Sequence, residues 1–216
     1  MKFETLLQWV GNLPCFDFAL LTQATGEAHA TLKVQLSRWA TAGKIIALRR
    51  GVWRLGELHR RVPAVPAELS GLLYRPSYLS APWALAYYDL IPERVVELTA
   101  VTTRGPKRFA NTDGIFTYRH IKQSAFFGYR QTQFGGRPLC VAEPEKALLD
   151  QWHFSAGEWT PERLGEMRYQ NLATLDTARL RDYTKRFAQP RLARATKNFF
   201  ALLDNATANS GQEELI

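Results

Sequence analysis

The first quarter of the chain places its apolar residues at helical spacing three times, then switches to two short runs around a glycine. Phe3, Leu6, Leu7 and Val10 predict a helix over residues 3–11, broken by Asn12-Leu13-Pro14. Phe18, Leu20 and Leu21 predict a second over 17–24, with Asp17 as N-cap and Gly26 supplying the exit turn. The third, over 27–42, is the most informative. Ala28, Leu32, Leu36, Trp39 and Ala40 share one face, whereas Ala30, Thr31, Val34, Ser37, Arg38 and Thr41 share the other. The inner face is apolar, and the outer face is small, polar or basic. Residues 45–55 then read as a hairpin turning at Arg50-Gly51, with Arg49, Arg50 and Arg54 on or beside the turn. Three short helices followed by a basic hairpin predict a winged helix-turn-helix over 1–58. Pro63 and Pro66 mark 59–66 as a linker.

From residue 67 the pattern changes, and 67–208 read as a second, mixed α/β domain ending in helices. The predicted fold class is therefore α+β. Ser80 and Pro82 open a helix that Leu90-Ile91-Pro92 stops. The β-branched stretch 95–103 reads as a strand. Segments 107–110 and 115–121 flank the turn Asn111-Thr112-Asp113-Gly114 and predict a second hairpin. Further strands are expected at 126–133 and 138–141, and helices at 143–152, 161–170, 176–187 and 190–204. Residues 205–216 read as an irregular end.

Charge sharpens this division. The chain of 216 residues carries a formal net charge of +8. Residues 1–66 hold nine lysines and arginines against four acids, and the remainder nineteen against sixteen, so most of the excess lies in the first third. A basic N-terminal module suits a polyanionic partner. Cys15 and Cys140 lack the spacing of a zinc site and read as buried reduced thiols. No metal site or cofactor is expected. The opening residues lack the basic-then-apolar layout of a secretion signal, and no run is long enough to span a bilayer. The expected setting is the cytoplasm, with no membrane partner.

A winged module bound to duplex DNA needs a helix with a small outer face, a free helix N-terminus and a basic wing. Here Thr31, Val34 and Ser37 are placed to meet base edges, Lys33 and Arg38 to meet phosphates, and Arg49, Arg50 and Arg54 to serve the wing. His120, in a strand, and His153, past a helix, read as structural imidazoles. Glu143, Glu145, Lys146 and Asp150 lie close together, but on a helix and without the strand-borne carboxylate pattern of a metal nuclease. Helix-dipole complementation accounts for them better, and no enzymatic activity is expected. The C-terminal helices carry Arg179, Arg181, Lys185, Arg186, Arg191, Arg194 and Lys197. These are either a solvated face or a second polyanion contact.

Two stretches carry a family resemblance. One is Gly43-Lys44-Ile45-Ile46-Ala47-Leu48-Arg49-Arg50-Gly51-Val52-Trp53-Arg54-Leu55. The other begins Tyr78-Leu79-Ser80-Ala81-Pro82-Trp83-Ala84-Leu85-Ala86-Tyr87-Tyr88-Asp89-Leu90-Ile91-Pro92-Glu93 and continues through Thr99-Ala100-Val101-Thr102-Thr103, Phe116-Thr117-Tyr118-Arg119-His120-Ile121 and Ala142-Glu143-Pro144-Glu145-Lys146-Ala147-Leu148-Leu149-Asp150. Together they resemble the AbiEi family of antitoxins and transcriptional regulators from type IV, abortive-infection toxin–antitoxin systems used in phage defence. The resemblance covers about residues 3–204. It implies an N-terminal domain that binds inverted repeats in double-stranded promoter DNA and represses its own operon. It also implies a C-terminal domain that counteracts a nucleotidyltransferase toxin, without requiring a stable complex with it. The basic C-terminal helices would then serve antitoxicity or extra DNA contact. The alternative is a stand-alone regulator whose C-terminal domain senses a partner or ligand.

Overall fold

A computed structural model describes residues 1–134 and 136–213. The chain is α+β, with nine α-helices and two sheets among the described residues. Helix α1 (Phe3–Val10) buries Phe3, Leu6 and Val10, the stripe its periodicity marks. A two-residue strand, β1 (Phe16–Asp17), precedes α2 (Phe18–Thr25). The Asp17 carboxylate caps α2 by accepting from the Leu20 N–H at 2.9 Å. Gly26, at φ 66°, ends that helix in a left-handed conformation that a side chain would strain. Helix α3 (His29–Thr41) buries Leu32 and Leu36. Strands β2 (Ile45–Arg49) and β3 (Val52–Leu55) follow, and the first sheet runs β1-β3-β2, antiparallel throughout. A local core of Phe3, Leu6, Val10, Phe16, Leu21, Leu32, Leu36, Ile45 and Leu55 joins these elements.

Residues 56–65 contain neither helix nor strand. Pro66 then opens α4 (Pro66–Leu73), followed by β4 (Ser77–Leu79) and α5 (Ala81–Tyr87). Next come β5 (Leu98–Thr102), the hairpin β6 (Lys107–Asn111) and β7 (Gly114–His120), and a second hairpin of β8 (Tyr129–Phe134) and β9 (Arg137–Ala142). Helices α6 (Pro144–Phe154), α7 (Pro161–Glu166), α8 (Thr177–Phe187) and α9 (Pro190–Glu213) complete the chain. Helix α9 thus continues past the expected end at 204, while the last three positions of the expected irregular end lie outside the described residues.

The six strands run β6-β7-β5-β4-β9-β8. The sheet is mixed: β5 lies parallel to β7, β4 touches β9 in parallel only at Leu79↔Val141, and the other neighbours are antiparallel. Helix α4 covers one face, where the Tyr118 hydroxyl donates to the Ser70 carbonyl at 2.7 Å. Helices α5 and α6 cover the other. There Asp150 of α6 accepts from the Ser80 hydroxyl at 2.7 Å and the Tyr78 hydroxyl at 3.1 Å.

The two sheets are not strung on a free linker. Leu48 and Val52 of the N-terminal hairpin belong to the large C-terminal core rather than to the local one. The Asn111 side-chain amide donates to the Leu48 carbonyl at 2.9 Å. Arg54 crosses from β3 to the β6–β7 turn, where its Nε donates to Asp113 at 2.7 Å. No helix among the described residues is long and apolar enough to cross a membrane.

Candidate nucleic-acid interface

Burial divides α3 cleanly. Leu32 and Leu36 face inward, and Trp39 is half-buried with its ring edge-on to Phe3 at 5.3 Å. On the opposite side Ala30, Thr31, Lys33, Val34, Ser37, Arg38 and Thr41 are all exposed. Val34 leaves 52% of its surface in water, a large apolar exposure on an otherwise polar face. No neighbouring element among the described residues covers this side. Ala28, at the N-cap, offers no side-chain acceptor, so the first-turn N–H groups of α3 are not capped by a side chain.

A cleft of about 590 Å³ separates α3 from the hairpin. Lys33 and Ser37 line its helix side, and Arg49, Arg50 and Gly51 its hairpin side. At its base the Phe18 ring stacks on His29, with centroids 4.3 Å apart, and meets Trp53 edge-on at 4.9 Å. Phe18, His29 and Trp53 set the spacing between helix and hairpin, a role that periodicity alone does not reveal. Gly51, at φ 81°, makes the tight turn that puts Arg50 at the tip.

The three hairpin arginines have different fates. Arg50 is exposed and has no side-chain partner among the described residues. Arg49 is half-buried. Its Nε donates to the Leu73 carbonyl at 2.6 Å and its Nη1 to the Arg50 carbonyl at 2.9 Å, which leaves other guanidinium N–H groups on the cleft side. Arg54 corrects the sequence expectation: it does not serve the wing. It is 4% exposed and paired with Asp113 and, at 2.9 Å, with Glu57. Arg50 sits in the turn, outside both strands, whereas Arg54 lies on β3 on the same face as Val52, which packs into the large core, and so points into the seam with the second sheet.

The basic residues of the C-terminal helices are mostly engaged within the chain. Arg191 donates to the carbonyls of Trp152, His153, Ser155 and Gly157 at 2.7–2.9 Å. It thereby satisfies carbonyls at and beyond the end of α6 that the helix itself leaves open. Arg194 makes a two-pronged pair with Glu158 at 2.7 and 3.3 Å. Arg179 reaches Asp176 at 3.3 Å and buried Glu145 at 3.5 Å. The guanidiniums of Arg181 and Arg186 lie over the rings of Phe200 and Phe127 at 4.0 and 3.9 Å. Lys185 approaches Asp182 only loosely, at 3.9 Å, and Lys197 is exposed. The run Arg191, Arg194, Lys197 is therefore not one uniform solvated face: its first member is a clamp on α6.

The acidic group on α6 is also internal. Lys146 and Asp150 are fully buried and paired with each other, and the Lys146 ammonium also donates to the Tyr78 hydroxyl at 2.8 Å. Burial pulls the lysine pKa below its ordinary value, and the adjacent carboxylate partly offsets this. Glu145 is buried and accepts the Asp176 N–H at 2.7 Å, while the Glu143 carboxylate accepts from the Tyr183 hydroxyl. His120 Nδ1 lies 3.0 Å from the Arg104 carbonyl. His153 lies 3.0 Å from the Gln189 side chain, and burial holds its pKa below the ordinary imidazole value. No cluster of three metal-ligating side chains occurs among the described residues. The site with open, convergent donors is the cleft between α3 and the hairpin. Set against known protein families and against curated proteins, the chain matches none.

Proposed function

We propose that the chain is a DNA-binding transcriptional repressor whose N-terminal unit is a winged helix-turn-helix acting on inverted repeats in its own promoter. Its C-terminal unit counteracts a nucleotidyltransferase-type toxin, as the AbiEi resemblance implies. One observation carries the DNA reading: the outer face of α3, from Thr31 to Arg38, is bare and flanked by an arginine-tipped hairpin. An α-helix of about 10–12 Å diameter fits a major groove about 12 Å wide. Thr31, Val34 and Ser37 then face base edges, with the Val34 methyls suited to a thymine methyl. Lys33, Arg38, Arg49 and Arg50 face phosphates on either side. The order helix, helix, helix, hairpin and the concentration of positive charge in residues 1–66 support the same reading.

A gel-shift titration with the promoter upstream of the gene tests it. The full chain is expected to bind that duplex at least about 10³-fold more tightly than random DNA at physiological salt. Arg50→Ala weakens binding to all sequences alike and makes the salt slope shallower by about 0.9, the share of one phosphate contact. Val34→Ser alters the base preferred at one position instead. Equal affinity for promoter and random duplex, or an unchanged slope in Arg50→Ala, counts against the proposal.

One observation favours a second reading, a regulator that senses a ligand or partner. A cavity of about 610 Å³ opens where the units meet, lined by Pro14 from one and by Glu68, Ser77, Tyr129 and Arg137 from the other. Co-expression with a nucleotidyltransferase toxin of the kind the resemblance implies separates the two: rescue of growth by the chain supports the antitoxin, and no rescue counts against it.

A further inference from the structure

An arginine-rich region without carboxylate partners among the described ion pairs lies at the seam between the two units. Arg49, on β2, donates to the Leu73 carbonyl at 2.6 Å. Two residues on, Arg75 donates to Gly71 at 3.1 Å, and its own carbonyl accepts from Arg104 at 3.2 Å. The Arg104 guanidinium sits 4.5 Å above the Tyr74 ring, and the Tyr74 hydroxyl donates back to Gly105. Arg50, Arg49, Arg75 and Arg104 are thus linked through the backbone of residues 73–75 in a ridge from the hairpin tip onto the second unit. Arg50, Arg75 and Arg104 are exposed. Each guanidinium of the ridge that is held at all is held by carbonyl oxygens or a ring, which position it without cancelling its charge. Each also keeps N–H groups unspent. Nearby carboxylates are committed elsewhere: Asp113 to Arg54, and Asp17 to the cap of α2. By contrast Arg108, Arg168, Arg179 and Arg194 all face carboxylates.

We infer that Arg75 and Arg104 extend the interface onto the second unit, gripping duplex DNA phosphates that flank the segment read by α3. This inference rests on the proposed DNA reading. Duplex DNA is the partner because the ridge is continuous with the cleft: Arg49 and Arg50 line both. A run of guanidiniums, three of them held in place, suits a line of phosphates, and it carries no base-reading groups of its own. The accessory contact is thereby moved from α8 and α9 to the seam.

The test measures binding of full-length chain to a long promoter duplex and to a short one covering only the α3 segment, across a salt series. Arg75→Ala with Arg104→Ala is expected to make the slope on the long duplex shallower by about 1–2 and to leave the short duplex unaffected. Arg75→Lys with Arg104→Lys retains the charge and is expected to retain most of the slope. An unchanged slope in the alanine pair overturns the inference. So does an equal loss in the lysine pair, which points to disturbed packing on Tyr74. Tighter binding of single-stranded RNA of equal charge than of the duplex overturns the choice of partner. Failure of the wild-type chain to bind either duplex would sink the α3 reading and the ridge with it. That result is distinguishable because it appears before any variant is made.

Discussion

Replacing Asp150 by alanine is expected to lower the folding stability of the full-length chain by about 3–5 kcal/mol, the cost of leaving a buried charge without its partner. Asp150 and Lys146 have no solvent exposure, so water cannot screen or replace either group. Asp150 also accepts from the hydroxyls of Tyr78 and Ser80, so one truncation takes an acceptor from three donors: Tyr78 on β4, Ser80 at the start of α5 and Lys146 on α6. The ammonium left behind is surrounded by the rings of Tyr78, Phe127 and Phe187, at 4.8–5.4 Å. Those rings stabilise a cation modestly, and less than a carboxylate does. The compensating variant, Lys146→Met with Asp150→Leu, removes both charges and is expected to lose less than Asp150→Ala alone. Urea unfolding followed by circular dichroism measures both. A loss below about 1 kcal/mol in Asp150→Ala would match an exposed pair and contradict the buried one.

Arg54→Ala is expected to cost about 3 kcal/mol of stability, because it strips Asp113 of its partner inside the seam. Asp113 is 9% exposed, so water reaches it poorly once the guanidinium is gone. Glu57, the other partner, is more than half exposed and adds little. The informative comparison is with Arg50→Ala, four residues away on the same hairpin. Arg50 is expected to govern DNA affinity with little effect on the urea midpoint, and Arg54 the reverse. If Arg54→Ala weakened DNA binding as Arg50→Ala does while the midpoint stayed fixed, Arg54 would have to be a wing residue after all.

That pair also illustrates what the sequence can tell. Helices α1 and α3 were legible because each buries one stripe and exposes the rest, as Leu32 and Leu36 against Thr31 and Val34 show, whereas α2 buries only Leu21 and was marked by its Asp17 cap and Gly26 exit. The outer face of α3 follows directly from that stripe. Helix α4 was not read, because Ala67, Glu68, Leu69 and Ser70 are consecutive and all buried, leaving no polar face to set a period. Strand β1 is two residues long and has no pattern to read. The fate of Arg54 depends on Asp113, fifty-nine positions on, and that of Arg191 on carbonyls at the end of α6. Such partners are set by tertiary packing, which local spacing cannot encode. The ridge was hidden for the same reason. Arg75 and Arg104 sit in irregular segments beside Pro76 and after β5, and only the fold brings them to Arg49.

Amide chemical shifts of the full-length chain, followed as promoter duplex is added, test most directly whether α3 and the hairpin hold the DNA. The largest changes are predicted at Thr31, Val34, Ser37, Arg38 and Arg50, with smaller ones at Arg75 and Arg104 and none along α8. Changes centred on α8 and α9, with Thr31 to Arg38 unmoved at saturation, would contradict the account.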